Sequence, residues 1–344
     1  MSITYKDSGV NIDAANAAKA RMKALVERTR IPGVIGGIGA FGGLFEGAFP
    51  GMTDPVLVAS ADGVGTKLKI AFMTGRHDTV GVDIVCHCAN DILAQGARPL
   101  FFLDYLACGR LDEETVVSVV SGVAEGCVRA GCALLGGETA EMPDFYAVGE
   151  YDLAGFIVGV VEHSRMLDGS AVQPGDVLLG LASDGLHTNG YSLARRVLLD
   201  EAGLPLESTP EGFECSLADE LLRPHRCYTK PVLPLVQEKR IHAIAHITGG
   251  GLIENLPRSL PEDCGAVIDR TAWNVPPVFR LIQQKGDVPD GEMYRVFNMG
   301  IGMVLVVAPG EVDHVASSLE AEGERVIRIG LVESGPHHVV IEGV

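Results

Sequence analysis

A short apolar run at residues 56–59 empties into Ser60-Ala61-Asp62-Gly63-Val64-Gly65-Thr66-Lys67, and this junction constrains the chain more than any other stretch. The run reads as a buried strand that delivers the backbone into a turn. At the turn stand a carboxylate, two glycines, a hydroxyl and an amine. Gly63 and Gly65 carry no Cβ, so their N–H groups can approach a ligand closely, while Lys67 can meet phosphate charge and Asp62 can hold a hard divalent cation. The same residues also suit a plain solvated strand-to-helix turn. The neighbouring segments bear on which reading holds.

The pattern recurs. Residues 132–135 form another apolar strand, which runs into Gly136-Gly137-Glu138-Thr139-Ala140-Glu141, again glycines followed by carboxylates and a hydroxyl. Between the two junctions lies a helix whose apolar face carries Val85, Cys88, Ala89, Ile92 and Leu93, and whose opposite stripe carries Asp83, His87, Asn90 and Asp91. A solvated face is the ordinary explanation of such a stripe. Its setting between two apolar strands, the second at residues 99–105, argues for a ligand instead. Three such places, at Asp62-Gly63, Asn90-Asp91 and Gly137-Glu138, can surround one Mg-nucleotide, because hard cations draw oxygen ligands from scattered carboxylates and phosphates.

The rest of the chain supplies a frame. Asp13 can cap a helix over residues 14–29, and Asp112 and Gly131 bracket a strongly periodic helix between them. Gly37, Gly39 and Gly42 spell a literal G-x-G-x-x-G, but a dinucleotide fingerprint follows a strand and opens a helix, whereas this one follows a helix and runs into Pro50. A lid closing over a ligand or a plain surface loop fits better. A strand at residues 153–161 completes a first half, and the pattern restarts near residues 164–170. This divides the chain into 1–166 and 167–344. In the second half a strand at 176–182 leads to a loop with His187 and Asn189 at a helix start, and a strand at 241–247 meets Thr248-Gly249-Gly250-Gly251, a possible second phosphate cradle or a flexible turn. The expected class is α+β: two α/β domains, the first a mixed sheet with helices on one face, the second a sheet with helices.

Composition narrows the function. The chain has 344 residues with 27 Lys and Arg against 45 Asp and Glu, a formal net charge of -18, so its field repels nucleic acid and anionic membranes. Any phosphate must be held locally, by backbone N–H groups, a few lysines and metal ions. The first residues lack the charged start and apolar core of a signal peptide, and no apolar run nears the length of a membrane helix, so a cytoplasmic enzyme is expected. The eight cysteines form no Cys-x-x-Cys and read as reduced thiols; Cys86-His87-Cys88 lacks a second ligand pair at zinc-site spacing. Walker-type P-loops, H-E-x-x-H and G-x-S-x-G are absent from the sequence.

The order and spacing of Thr4-Tyr5-Lys6-Asp7-Ser8-Gly9-Val10, Asp62-Gly63-Val64-Gly65-Thr66-Lys67, Asn90-Asp91, residues 136–143, His187-Thr188-Asn189-Gly190 and Thr248-Gly249-Gly250-Gly251 closely resemble the phosphoribosylformylglycinamidine cyclo-ligase family. The resemblance spans nearly the whole chain. It implies ATP-dependent ring closure of phosphoribosylformylglycinamidine to aminoimidazole ribonucleotide in purine synthesis, and a homodimer built through the N-terminal sheets. By position it implies Asp62, Asp91 and Glu138 as Mg2+ ligands, and Lys67, His187 and Asn189 as catalytic groups. ATP and substrate phosphates would then fall to Lys6, Gly37, Gly39, Gly42, Gly63, Gly65, Thr66, Lys67, Asn90, Gly137, Thr139, Thr248, Gly249 and Gly250. A nucleotide-binding subunit without catalysis, or a related ATP-dependent kinase or synthetase, is the alternative.

Overall fold

A computed structural model describes residues 12–37 and 42–343. Lys6, Gly39 and the capping side chain of Asp13 lie outside the described residues. The first half runs α1 (Ile12–Glu27), a hairpin of β1 (Val34–Ile35) and β2 (Leu44–Phe45), β3 (Pro55–Gly63), α2 (Leu68–Thr74), α3 (Asp78–Leu93), β4 (Arg98–Cys108), α4 (Glu113–Ala130), β5 (Ala133–Glu141) and β6 (Tyr151–Glu162). Its sheet has the order β3-β6-β4-β5, antiparallel except for the β4–β5 pair, which α4 connects as a crossover. The described part of the glycine-rich stretch is thus a short hairpin rather than an open loop, with Gly43 against Leu135 of β5.

The ends of α4 follow the sequence signals: Asp112 Oδ2 accepts from the Thr115 backbone N–H at 2.9 Å, and Gly131 closes the helix at a φ of 72°. α3 and α4 lie side by side on one face of the sheet, pressed together where Gly81, Gly122 and Gly126 offer no side chain. A Cβ on Gly122 would run into the carbonyl oxygen of Asp78, and one on Gly81 into that of Val119. The other sheet face has no helix over it among the described residues. Leu57 of β3 is 62% exposed and Phe156 of β6 41% exposed there.

The second half runs β7 (Val177–Ala182), α5 (Tyr191–Arg195), α6 (Leu217–Leu221), α7 (Thr229–Gln237), β8 (Ala243–His246), α8 (Gly251–Asn255), β9 (Cys264–Asp269), α9 (Pro277–Gly286), α10 (Asp290–Val296), β10 (Ile301–Val307), α11 (Val312–Ala321), β11 (Val326–Ser334) and β12 (Val339–Glu342). Its strands lie in the order β12-β9-β11-β7-β10-β8. All seven residues of β10 are buried, as suits an apolar run covered on both faces. The α+β class and the two sheets agree with expectation.

Two expectations are corrected. β3 stays paired with β6 as far as Gly63, and β5 stays paired with β4 as far as Glu141, so Asp62, Gly63, Gly137, Glu138 and Thr139 sit on strands and not in turns. The polar stripe of α3, expected to face a ligand, is shared between the cleft and the second half of the chain. Asp83, His87 and Asn90 are buried because the second half of the chain packs onto that side of the helix. Asn90 donates to the carbonyl of Arg226 at 2.8 Å and accepts from the N–H of Tyr228 at 3.0 Å. Asp83 accepts from the N–H of His225 at 2.7 Å. A strap of backbone at residues 223–228 is therefore pinned to α3 by side chains, which satisfies polar groups that burial would otherwise leave costly.

Candidate active site

Between the two halves lies a cleft of about 420 Å³. Its N-terminal wall carries Asp62 at the end of β3 and His87 and Asp91 on α3; its C-terminal wall carries His246 at the end of β8, Thr248 beyond it, and Arg258 after α8. His87 and Asp91 stand four residues apart on one helix face, which turns both toward β3. His87 Nε2 lies 2.9 Å from Asp62 Oδ2 and 3.8 Å from Asp91 Oδ2. His246 Nδ1 lies 2.8 Å from Asp91 Oδ1, and the Ser60 hydroxyl donates to Asp91 Oδ2 at 2.9 Å.

These contacts set the charges. Burial works against ionised Asp91, but the His246 N–H, the charge of His87 and the Ser60 hydroxyl outweigh it and hold the carboxyl down at about 2. The hydrogen bond from His87 keeps Asp62 below its ordinary value. Burial opposes charge on His87 too, yet its bond to Asp62 and the nearby carboxylates raise it overall. Burial dominates at His246 and lowers it from the ordinary histidine value, against the opposing pull of Asp91. His87, Asp91 and His246 bring their ligand atoms within 4.8 Å of one another.

The structure gathers some of the expected residues here and sends others elsewhere. Asp62 and Asp91 meet; Glu138 does not join them. It lies on β5, the opposite edge strand, paired with Tyr105 in a row that faces away from α3, whereas Asp62 shares the row of Gly155, Asp104 and Gly137 on the helix side. Gly137 leaves room for Asp104, whose carboxylate occupies the place a Cβ would take. Lys67 is fully buried beside Asp83 at 2.8 Å and donates to the carbonyls of Arg223 at 2.7 Å and His187 at 3.2 Å. All three ammonium protons have acceptors inside the protein, and Lys67 does not line the cleft. Asn90 is likewise spent on the strap.

His187 is buried at a φ of 62°, stacked on His225 at 3.9 Å between ring centres, and its Nε2 accepts from the Asp184 N–H at 3.1 Å. It stands behind the cleft wall. Asn189 approaches Gly249, whose loop Asn255 holds through the carbonyls of Thr248, Gly249 and Gly251. Gly250 has a φ of 99°, a conformation only glycine adopts easily. Gly65 has open space for a close approach, whereas a Cβ on Gly63 would touch the Leu153 carbonyl oxygen at 3.7 Å, and Thr66 Oγ1 lies 3.0 Å from Ser192 Oγ across the interface. Among the described residues, no partner group is within 4 Å of an added Cβ at Gly37 or Gly42.

Sequence reasoning passed over His225, His246 and Arg258. His246 was legible in principle, as the last residue of the buried strand before the Thr248 glycine run. His225 and Arg258 carried no local signal. Their roles arise only from packing between elements distant in sequence.

Residues 48–161 match the family model of the AIR synthase related protein, N-terminal domain, and residues 173–343 that of its C-terminal domain. A phosphoribosylformylglycinamidine cyclo-ligase of Geotalea daltonii is 56% identical over 328 residues, covering 95% of this chain and 94% of its own. The chain belongs to the phosphoribosylformylglycinamidine cyclo-ligase family. A second member, from Myxococcus xanthus, is 55% identical over 335 residues and 97% of each chain. Among solved structures, thiamine-monophosphate kinase from Stenotrophomonas maltophilia has a TM-score of 0.70 at 20% identity over 95% of each chain. The hydrogenase maturation protein HypE in complex with ATP has a TM-score of 0.67 at 18% identity, covering 94% of this chain and 91% of that one. At those identities the shared property is the fold.

Proposed function

We propose that the protein closes the imidazole ring of aminoimidazole ribonucleotide from phosphoribosylformylglycinamidine, using ATP and releasing ADP and phosphate. Membership of the cyclo-ligase family is the observation that carries this reading. The cleft supports it chemically. Two ionised carboxylates, Asp62 and Asp91, line one wall with their outer faces open, a donor set that fits a hard divalent cation such as Mg2+. When bound, Mg2+ would screen the triphosphate and the charge that develops as phosphate is transferred.

This chain's own groups do the holding. Asp62 and Asp91 would keep the cation, with their carboxylates oriented by His87 and His246. Thr248, Gly249 and Gly250 would take the ribotide phosphate, with Thr248 and Arg258 standing on the opposite wall of the cleft. In the reaction the formyl oxygen is phosphorylated, the amidine nitrogen attacks the activated carbon, and phosphate leaves. Gly63, Gly65 and Thr66 would let the nucleotide approach the backbone, Lys6 would bind it, and the glycine-rich stretch at residues 37–43 would serve as its lid. Thr139 and Glu138 would reach a nucleotide only across the open sheet face.

We place the protein in the cytoplasm as a homodimer joined through that face, with a domain division after residue 166. No helix among the described residues is long and apolar enough to cross a membrane. The experiment is an assay of ADP release with and without the formylglycinamidine ribonucleotide. Release only when both substrates are present is expected; ATP hydrolysis at a comparable rate without the ribotide would overturn the assignment.

A further inference from the structure

Two thiols from distant parts of the chain meet where the second half is pinned to α3. Asn90 holds both neighbours of Cys227, donating to the carbonyl of Arg226 at 2.8 Å and accepting from the N–H of Tyr228 at 3.0 Å, so the backbone of Cys227 is clamped against the helix. Cys86 stands one turn before Asn90 on the same helix face. The thiols of Cys86 and Cys227 are hydrogen-bonded to each other. Neither lines the cleft.

Access and surroundings set this pair apart from the other cysteines. Cys86 is fully buried, whereas Cys227 is partly exposed. A cavity of about 220 Å³ lies nearby, lined by Val82 one turn before Cys86, by Pro224 three residues before Cys227, and by Arg129 of α4. The positive charge of Arg129 acts on both sulfurs. Cys227 also stands just before the first turn of α7 and is bonded to the Thr229 N–H, a setting that favours a thiolate. Cys127 and Cys132 make a second hydrogen-bonded pair, but both lie in the core. Cys215, the other partly exposed thiol, is bonded to Glu220 and Arg223 and has no cysteine as its hydrogen-bond partner among the described residues.

We propose that Cys86 and Cys227 are a redox modification site: hydrogen peroxide converts them to a disulfide that ties α3 to the strap at residues 223–228 and joins the two halves covalently. The Cys227 thiolate attacks one peroxide oxygen, the O–O bond breaks, and Cys227 becomes a sulfenic acid as hydroxide leaves. That hydroxide takes the Cys86 proton and becomes water. The Cys86 thiolate then attacks the Cys227 sulfur, the S–O bond breaks, and the second hydroxide takes up the proton that Cys227 released at the start. Two thiols and one peroxide give one disulfide and two waters, with two electrons passing from sulfur to oxygen. The cross-link encloses all of the chain between residues 86 and 227, and closing so long a loop in the unfolded chain favours the folded state.

The test treats the full-length protein with hydrogen peroxide, blocks remaining thiols with iodoacetamide and maps an unreduced tryptic digest by mass spectrometry. A Cys86–Cys227 cross-link is expected, reversed by dithiothreitol, and the oxidised protein should melt about 5 °C above the reduced one. Cys88→Ser should leave the cross-link in place, which separates Cys86 from its neighbour in the same peptide. Cys227→Ser, at the partly exposed position, should leave Cys86 as a free thiol, and Cys86→Ser should leave Cys227 as a sulfenic or sulfinic acid. If Cys86→Ser does not fold, wild type and Cys227→Ser decide the matter alone. Oxidation of Cys227 to sulfinic acid in wild type without a cross-link, a cross-link to any other cysteine, or peroxide that modifies Cys215 and spares Cys227 would each overturn the proposal.

Discussion

Removing Asp83 should be among the most damaging single changes this protein can suffer, although the residue never reaches the cleft. Burial drives Lys67 toward losing its proton and Asp83 toward gaining one, and the contact between them at 2.8 Å opposes both drifts. In Asp83→Ala the ammonium keeps two carbonyl acceptors but loses its counter-charge, and removing one partner of a buried pair costs about 3–5 kcal/mol. The His225 N–H loses its acceptor as well, and an orphaned buried donor costs about 1–3 kcal/mol. The two penalties overlap, because a relaxing strap can partly re-pair both groups. A loss of about 4–6 kcal/mol is expected, a large part of the ~5–15 kcal/mol that holds a typical native protein together. Urea titration followed by circular dichroism measures it. The double variant Lys67→Met/Asp83→Leu removes both charges and should lose clearly less than the sum of the two single changes. A change of under about 1 kcal/mol in Asp83→Ala, or additive losses in the double variant, would refute the buried-pair argument.

Asp91→Asn keeps the shape and the bond to His246 but removes a charge from the proposed cation site, so metal-dependent ADP release should fall by orders of magnitude while the melting temperature stays near wild type. Asp62→Asn should behave alike, and the double variant should lose far less than the product of the two, as groups serving one cation do; full activity of Asp91→Asn across a magnesium titration would count against the site. Asp104, buried under α3 and α4, is raised to about 7, chiefly by burial. The folded state therefore holds this proton where the unfolded chain has lost it, and the group's contribution to stability is full below about pH 4 and disappears as pH rises to about 7. Asp104→Asn should flatten that fall and stabilise the protein at about pH 8, as thermal melts across pH would show. Charge on the open sheet face, as in Phe156→Asp, should convert a dimer to monomers by light scattering with secondary structure unchanged; a wild type that is already monomeric would sink the dimer.

Much of this was legible from local pattern. The apolar strands, the caps of α4 and the two-sheet α+β plan follow from periodicity and end signals, which are properties of neighbouring residues. The structure brings Asp62 and Asp91 to one cleft wall, where a carboxylate at the end of a buried strand meets another on the helix beside it. Glu138 was misplaced for a plain reason: the glycine-carboxylate pattern does not tell whether the strand ends or continues, and in β5 it continues and turns the side chain to the other face. Lys67 was read as a phosphate ligand because its buried partner Asp83 comes 16 residues later and its carbonyl partners more than a hundred later. The α3 stripe was polar in sequence and buried in fact, since nothing local reveals that the strap at residues 223–228 covers it.

That strap also decides how the cleft can admit its ligands. Two lobes with a groove between them suggest jaws, but jaws need a seam that parts cheaply. Here parting would tear Lys67 and Asp83 from the carbonyls of Arg223 and His187 and the N–H of His225, and strip Asn90 from Arg226 and Tyr228. Those groups would be left in a gap too narrow to hydrate well. The halves are better described as one riveted frame, and the gate must be built from what is not riveted: the loops at the rim. Small-angle scattering that keeps the same profile as nucleotide saturates the protein is the signature of such a frame; a marked contraction would mean that the rivets yield.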